Sequence, residues 1–304
     1  MSKSTFNRQF ILGITLVSAM GGLLFGYDWV VIGGAKPFYE RFFDITNSPY
    51  LQGWAMSSAL IGCLIGALVS GYLTDRLGRK MPLITAAALF SIAAIGTGAV
   101  NNFTLFIVFR LIGGLGIGLA SAISPMYIAE ISPASMRGRL VSVNQLTIVL
   151  GILAAQITNY LIAEAVPAGS TDDFILNSWN GQSGWRWMFW AGTVPALLFF
   201  VLSFFIPESP RFLAKSGKSD SAFSILKKIG GEAYALQEQK EIAETLQGTD
   251  SKIDWKALRS KKVRPVLILG IVLAVFQQWC GINVIFNYAD EVFTSAGYSV
   301  GDML

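Results

Sequence analysis

The chain carries seven apolar runs, each about long enough to cross a lipid bilayer: residues 9–32, 50–73, 82–100, 103–128, 139–164, 186–206 and 265–289. A hydrocarbon core about 30 Å thick takes roughly 20 apolar residues in helical form. No water inside that core satisfies backbone N–H and C=O groups, so a spanning segment closes its own hydrogen bonds as a helix. Seven such runs predict an all-α membrane protein. Composition agrees, since 53% of the 304 residues are hydrophobic and 14% charged. Mean hydropathy is +0.54, above the range of soluble domains. The first run is too long for a cleavable signal peptide, and no small-residue cleavage site follows it.

The cations sort to one side of these runs. Lys3 and Arg8 precede the first, Arg76, Arg79 and Lys80 follow the second, and Arg137 and Arg139 follow the fourth. Twelve more lie between the sixth and seventh, so 19 of the 23 Lys and Arg share a side. Short loops rich in Lys and Arg stay in the cytoplasm. The N-terminus is therefore expected to be cytoplasmic, with odd-numbered spans running outward. The basic balance reports this topology and contact with anionic head groups; it gives no reason to expect a nucleic-acid partner.

Histidine is absent, so proton chemistry falls to carboxylates. Cys63 and Cys280 sit within apolar runs and read as small hydrophobes rather than disulfide or metal ligands. Residues 208–262 form a hydrophilic insert. Within it, SDSAFSILKKIGG sets Phe223, Ile225, Leu226 and Ile229 beside Lys227 and Lys228 and ends on Gly-Gly, a pattern for a short helix lying on the cytoplasmic face. Lacking cysteine, histidine and a phosphate loop, the insert makes a poor catalytic core. No enzyme activity, cofactor or metal is expected.

Glycine punctuates the spans. Ser58, Gly62, Gly66 and Ser70 form one small-residue face on which another helix can approach closely. GGLGIG, residues 113–118, superficially matches a dinucleotide-binding loop, but it stands mid-span with no strand before it and reads as helix packing. GGLLFG, residues 21–26, echoes it in the first span. Such an echo between spans one and four is what a three-plus-three inverted repeat produces.

One acid, Asp28, lies deep in a run, and one base, Arg110, lies deep in another. Span one runs outward and span four inward, and each residue stands about five to seven positions from its outer end, so at roughly 1.5 Å per residue the two share a depth. An isolated charge there costs on the order of 3 kcal/mol, so such residues pair or line a polar path. Two readings stay open. A static pair would only fix how two helices pack, and is weak evidence for stability. In a titratable switch, burial favours the neutral acid and a nearby guanidinium the carboxylate, so motion of Arg110 would drive proton binding and release.

GYLTDRLGRK, residues 71–80, places Gly71, Asp75, Arg76, Gly78, Arg79 and Lys80 on the first cytoplasmic loop signature of the major facilitator superfamily. SPMYIAEISPASMRGR (124–139), PESPR (207–211) and QQWCGIN (277–283) follow in order. Together they resemble the sugar porter family, on the side of the bacterial D-xylose/proton symporters and the facilitative glucose transporters. The resemblance implies an N-terminal six-helix bundle (1–207) built as a 3+3 inverted repeat, a cytoplasmic helical linker (208–262) and the first span of an incomplete C-terminal bundle (263–304). The remainder of that bundle would come from the same or a second chain. The resemblance also implies alternating-access import of a monosaccharide, pentose or hexose, with protons across the cell inner membrane. A facilitative uniporter and a non-transporting sugar receptor are the alternatives.

Residue by residue, Asp28 and Arg110 fall on the symporters' proton-coupling pair. Gln145, Gln277, Gln278 and Asn283 match amides that bind sugar hydroxyls, and Phe25 an aromatic lining the pocket. An amide donates and accepts, as a hydroxyl does, although such amides also serve as interhelical glue. Asp75, Arg76, Arg79, Glu130, Arg137, Glu208 and Arg211 match a cytoplasmic charge network that latches helix ends; the alternative is a positive-inside anchor with incidental acids. Asn287 before Tyr288 and Ile152 depart from the family pattern, leaving the identity of the sugar open.

Overall fold

A computed structural model of the chain describes residues 6–167, 169–247, 260, 263–281 and the isolated positions 285, 292 and 295–297. Helices follow one another as α1 (Arg8–Phe42), α2 (Pro49–Leu77), α3 (Lys80–Ala99), α4 (Phe103–Ile131), α5 (Arg137–Ile162) and the short α6 (Asp172–Asn177). A π-turn at Asn180–Gly184 then runs into α7 (Trp185–Ala191) and α8 (Thr193–Ser203), followed by α9 (Pro210–Lys215), α10 (Ser219–Gln247) and α11 (Arg264–Trp279). Among the described residues six units, α1 to α5 and the stretch Asn180–Ser203, are long and apolar enough to cross a membrane. Of the seventh run, residues 265–279 lie in α11, a helix of 16 residues, and most of 282–289 lies outside the described residues. Among the described residues there is no strand.

The helix ends are set by local chemistry. Asn7 Oδ1 accepts the Phe10 N–H at 3.1 Å, and Asn102 Oδ1 accepts those of Thr104 and Leu105; each satisfies N–H groups that a helix start leaves orphaned. Ser48 precedes Pro49, and Ser209 precedes Pro210, the pairing of cap and first-turn proline. Gly78 closes α2 at φ 84°, a conformation that glycine alone adopts cheaply.

In the bundle α1 packs on α5, α2 on α4, and α3 on α4 and α8. The glycines show why. Gly22 abuts the Asn144 backbone of α5 as Gly114 abuts that of Ala59 in α2; Gly26 meets Ile148 as Gly118 meets Cys63; Gly151 meets Leu23 as Gly66 meets Leu115. These are the same contacts made twice, the first helix of one three-span unit against the second helix of the other. Helix pairs gain little from the hydrophobic effect in lipid, so backbones brought close by small residues supply the packing. The echo between GGLLFG and GGLGIG is thus a repeated interface, and the 3+3 repeat is a fact of the fold.

Two elements differ from the sequence expectation. α1 runs ten residues past its apolar run, through Pro37 to Phe42. Lys36 and Glu40 there are 2% and 7% exposed, so α1 holds a second enclosed acid, more buried than the half-buried Asp28. These turns are wrapped by protein: Tyr39 packs at a tilt on Phe106 at 5.2 Å, and Phe106 meets Trp185 at 6.3 Å. Hydropathy assumes lipid as the surroundings, and here it is the wrong solvent. Arg186, at the start of α7, donates to the carbonyls of Gly98 and Val100 at 2.8 and 2.6 Å and to Asn101 at 2.7 Å, holding the α3–α4 turn to α7. The Gly-Gly stop in the insert is a bend: Gly231 takes φ 82° and the helix resumes at once.

The insert docks on the end of the bundle where α1 begins. Ile225, Ile229 and Tyr234 share an apolar cluster with Phe6, Ile11, Ile128 and Leu140. The Asn7 N–H donates to the Ile229 carbonyl at 2.9 Å, and Phe6 meets Tyr234 edge-on at 5.4 Å. Burial, with Glu238 adding its charge, pushes the Tyr234 phenol well above its ordinary range.

Candidate functional site

Asp28 and Arg110 meet. Arg110 Nη1 donates to Asp28 Oδ1 at 2.6 Å, with the Arg110 side chain 4% exposed and that of Asp28 22%. Gly21 of α1 lies close against Ala120 and Ser124 of α4, bringing the two helices together for this meeting, and Phe189 covers the guanidinium at 6.0 Å. Attraction at 2.6 Å is worth about 6 kcal/mol at an effective dielectric near 20, while removing both ions from water costs several kcal/mol each. Desolvation is thus of the same order as the attraction or larger. The pair therefore contributes little net stability, and a small change of distance or hydration shifts its balance. Beside it Tyr27 donates to the Met188 carbonyl at 2.8 Å, tying α1 to α7.

On another side of α1 lies an open groove of about 400 Å³ bounded by α1, α4 and α5, within the size range of small-molecule sites. Phe25 and Gln145 both line it, with Gly22, Pro125 and Ile148. Gln145 is exposed, so its amide is open to a ligand. Phe25 meets Trp29 edge-on at 6.0 Å. Ile152 packs against the apolar core and offers no hydrogen bond there. Gln277 and Gln278 stand exposed on α11 and are not among the residues lining this groove. Asn283 lies outside the described residues, as do Asn287 and Tyr288.

The charges at the amino-terminal end of the bundle form a linked set. Arg79 Nη2 pairs with Glu130 Oε1 at 2.7 Å, and the Ser209 hydroxyl donates to the other Glu130 oxygen at 2.6 Å. Glu208 Oε1 accepts the backbone N–H of Arg79 at 2.8 Å and of Ser209 at 2.7 Å. Asp75 pairs with Lys215 at 3.0 Å, and Arg76 lies over the Tyr72 ring at 4.7 Å. Arg211 lines the same cleft as Arg79 and Glu130 without pairing there. Arg137 has no ion pair among the described residues; its charge acts on the Tyr234 phenol. Ser209 and Lys215 were not singled out by sequence. A serine before proline signals a helix cap, which finds Ser209, but a partner 140 positions away leaves no local mark on Lys215.

Burial ranks these pairs. The side chains of Arg79 and Glu130 are 13% and 10% exposed, those of Lys215 and Asp75 55% and 67%. Glu130→Ala, which leaves Arg79 and Ser209 buried without their acceptor, is expected to cost about 3 kcal/mol. Asp75→Ala is expected to cost under about 1 kcal/mol. Thermal unfolding in detergent checks both, and equal losses would contradict the ranking.

Comparison with known proteins shows the family and the fold. The family model described as "Sugar (and other) transporter" matches residues 14–304. The D-xylose-proton symporter of Escherichia coli (strain K12) is 40% identical over 320 residues, covering 97% of this chain and 62% of that protein. The glucose transport protein of Synechocystis sp. is 42% identical over 302 residues, covering 98% of this chain and 62% of that protein. A solved structure of the major facilitator superfamily proton:xylose symporter XylE bound to 6-bromo-6-deoxy-D-glucose superposes with a TM-score of 0.81 at 38% identity, over 98% of this chain and 65% of that one. The chain thus spans about three fifths of the length of the curated relatives it matches. A repeated three-span unit, the loop signatures and these similarities converge: the chain belongs to the sugar transporter family and has the major facilitator fold.

Proposed function

We propose that the protein, at the length of its relatives, imports a monosaccharide together with protons by alternating access. The observation that carries this is the Asp28–Arg110 pair, a carboxylate held at 2.6 Å by a nearly unexposed guanidinium inside the bundle. Because desolvation offsets the attraction, the pair is a poor fastener and suits a switch. Protonation of Asp28 from outside weakens the pairing, lets the bundles rock about bound sugar, and is reversed by proton release inside. Phe25 and Gln145 form this bundle's share of the sugar site, with Gln277, Gln278 and Asn283 supplying amides from the following half. The linked charges around Arg79, Glu130 and Glu208 act as the inner latch, drawing on Arg76, Arg137 and Arg211 when the inner side closes.

The distribution of Lys and Arg supports a cytoplasmic N-terminus in the cell inner membrane, the 1–207 bundle preceding a cytoplasmic linker (208–262) and the opening span (263–304) of a second bundle. The names of relatives, a D-xylose-proton symporter and a glucose transport protein, support a pentose or hexose as cargo. Adding sugar to an unbuffered suspension of cells expressing the full-length protein is expected to raise the pH of the medium. Sugar uptake without alkalinisation would favour a facilitative uniporter, in which Asp28 only holds Arg110.

A further inference from the structure

Asp28 and Arg110 also line a cavity that the sugar groove does not share. It measures about 20 Å³ and sits where α1, α3, α4, α7 and α8 converge, bounded by Asp28, Arg110, Thr97, Ala93, Phe109 and Gly192. One water needs about 10–15 Å³ and two or more polar partners, so there is space for a single molecule. Partners are present. Arg110 is 3% exposed, and its Nε is buried with no hydrogen-bond acceptor. A guanidinium N–H left in that condition costs free energy that an acceptor would recover. Asp28 offers a carboxylate to the same space, and Thr97, 2% exposed, a hydroxyl.

The titratable and charged groups facing the pair are few. Tyr27 and Asp28 belong to α1 and Arg110 to α4, while α3, α7 and α8 line the cavity with no ionisable side chain. From α2, Cys63 stands within electrostatic reach of Asp28. Besides the Tyr27 phenol, whose O–H is engaged by the Met188 carbonyl, the lining offers no other acid or base to compete for a proton delivered there. Thr97 lies two residues before the end of α3, about 3 Å along the helix axis, so this edge of the cavity points to the end of α3 opposite the latch.

We infer that this cavity holds one water that relays the proton to Asp28 through the interior of the bundle, so that proton and sugar reach α1 from different sides. The water accepts the Arg110 Nε–H through one lone pair and donates one O–H to the Asp28 carboxylate. An incoming proton bonds to its second lone pair as the O–H toward Asp28 breaks, the electron pair staying on the water oxygen and a new O–H forming on Asp28. Water is regenerated, one external proton is consumed, and charge balances. Thr97 is a positioning residue that holds the water in line.

This inference rests on the symport reading, and its test separates the two. Full-length protein in proteoliposomes is assayed for accumulation driven by a pH gradient and for equilibrium sugar exchange, with Ile92→Val on the exposed face of α3 as control. Ala93→Val fills the cavity and is expected to slow proton-driven accumulation at least tenfold while exchange stays within twofold. Thr97→Val removes the hydroxyl at nearly constant volume and is expected to slow accumulation at least threefold; Thr97→Ser restores it. A Cβ at Gly113 would already stand 3.1 Å from that of Ala93, so if Ala93→Val fails to assemble, Thr97→Val decides. Wild-type rates in these variants, or exchange lost in the same proportion as accumulation, would overturn the relay alone. Wild-type accumulation that survives a protonophore would overturn the symport reading and the relay with it.

Discussion

Replacing Gly26 by valine is expected to part α1 from α5 and to leave little assembled protein in detergent. A Cβ at Gly26 would come far closer to the Ile148 carbonyl oxygen than van der Waals contact allows, and its next neighbours are the Ile148 carbonyl carbon and the Ile152 backbone nitrogen. Backbone cannot swing aside as a flexible side-chain end can, so the helices themselves must separate. Overpacking of a core commonly costs 1–3 kcal/mol; with two backbones in register here, about 3 kcal/mol or more is expected. Gly118→Val should do the same at the repeated interface, against the backbone of Cys63 in α2. Gly13 faces open space, and alanine there should be neutral or stabilise α1 by up to about 1 kcal/mol through helix propensity. Size-exclusion profiles and thermal unfolding of the three variants check this. A well-assembled Gly26→Val protein would show that the close approach of α1 and α5 is not what builds the bundle.

Much of this architecture can be read in the sequence because lipid simplifies the rules. Backbone hydrogen bonding forces helices, bilayer thickness fixes their length, and only glycine, alanine and serine let two of them touch closely. The face Ser58, Gly62, Gly66 and Ser70 could be located in advance, and all four are buried. Asp28 and Arg110 could be matched by elimination and depth, and they meet. Elimination fails where protein replaces lipid: Lys36 and Glu40 are buried in turns that hydropathy assigns to water. Pairing across long separations is equally silent, as with Asp75 and Lys215. The cavity beside Arg110 depends on small residues of three elements, Ala93, Gly113 and Gly192, meeting in space, and no periodicity records that.

The Asp28→Asn variant carries the second large effect. Asparagine keeps the size of the side chain and can still accept from the Arg110 guanidinium through its carbonyl oxygen, but it neither binds nor releases a proton. The helices should therefore pack as before and the bundles should still rock about sugar. The loss should fall on coupling alone. One pH unit is about 1.4 kcal/mol per proton, so a one-unit gradient, acid outside, can drive about tenfold accumulation at one proton per sugar.

Full-length wild-type and Asp28→Asn protein in proteoliposomes under that gradient decide the matter. Wild type is expected to approach tenfold accumulation. The variant should equilibrate at a ratio of one, with exchange between equal sugar concentrations retained. Accumulation by Asp28→Asn equal to wild type would show that Asp28 does not titrate in transport and that its contact with Arg110 only fastens α1 to α4.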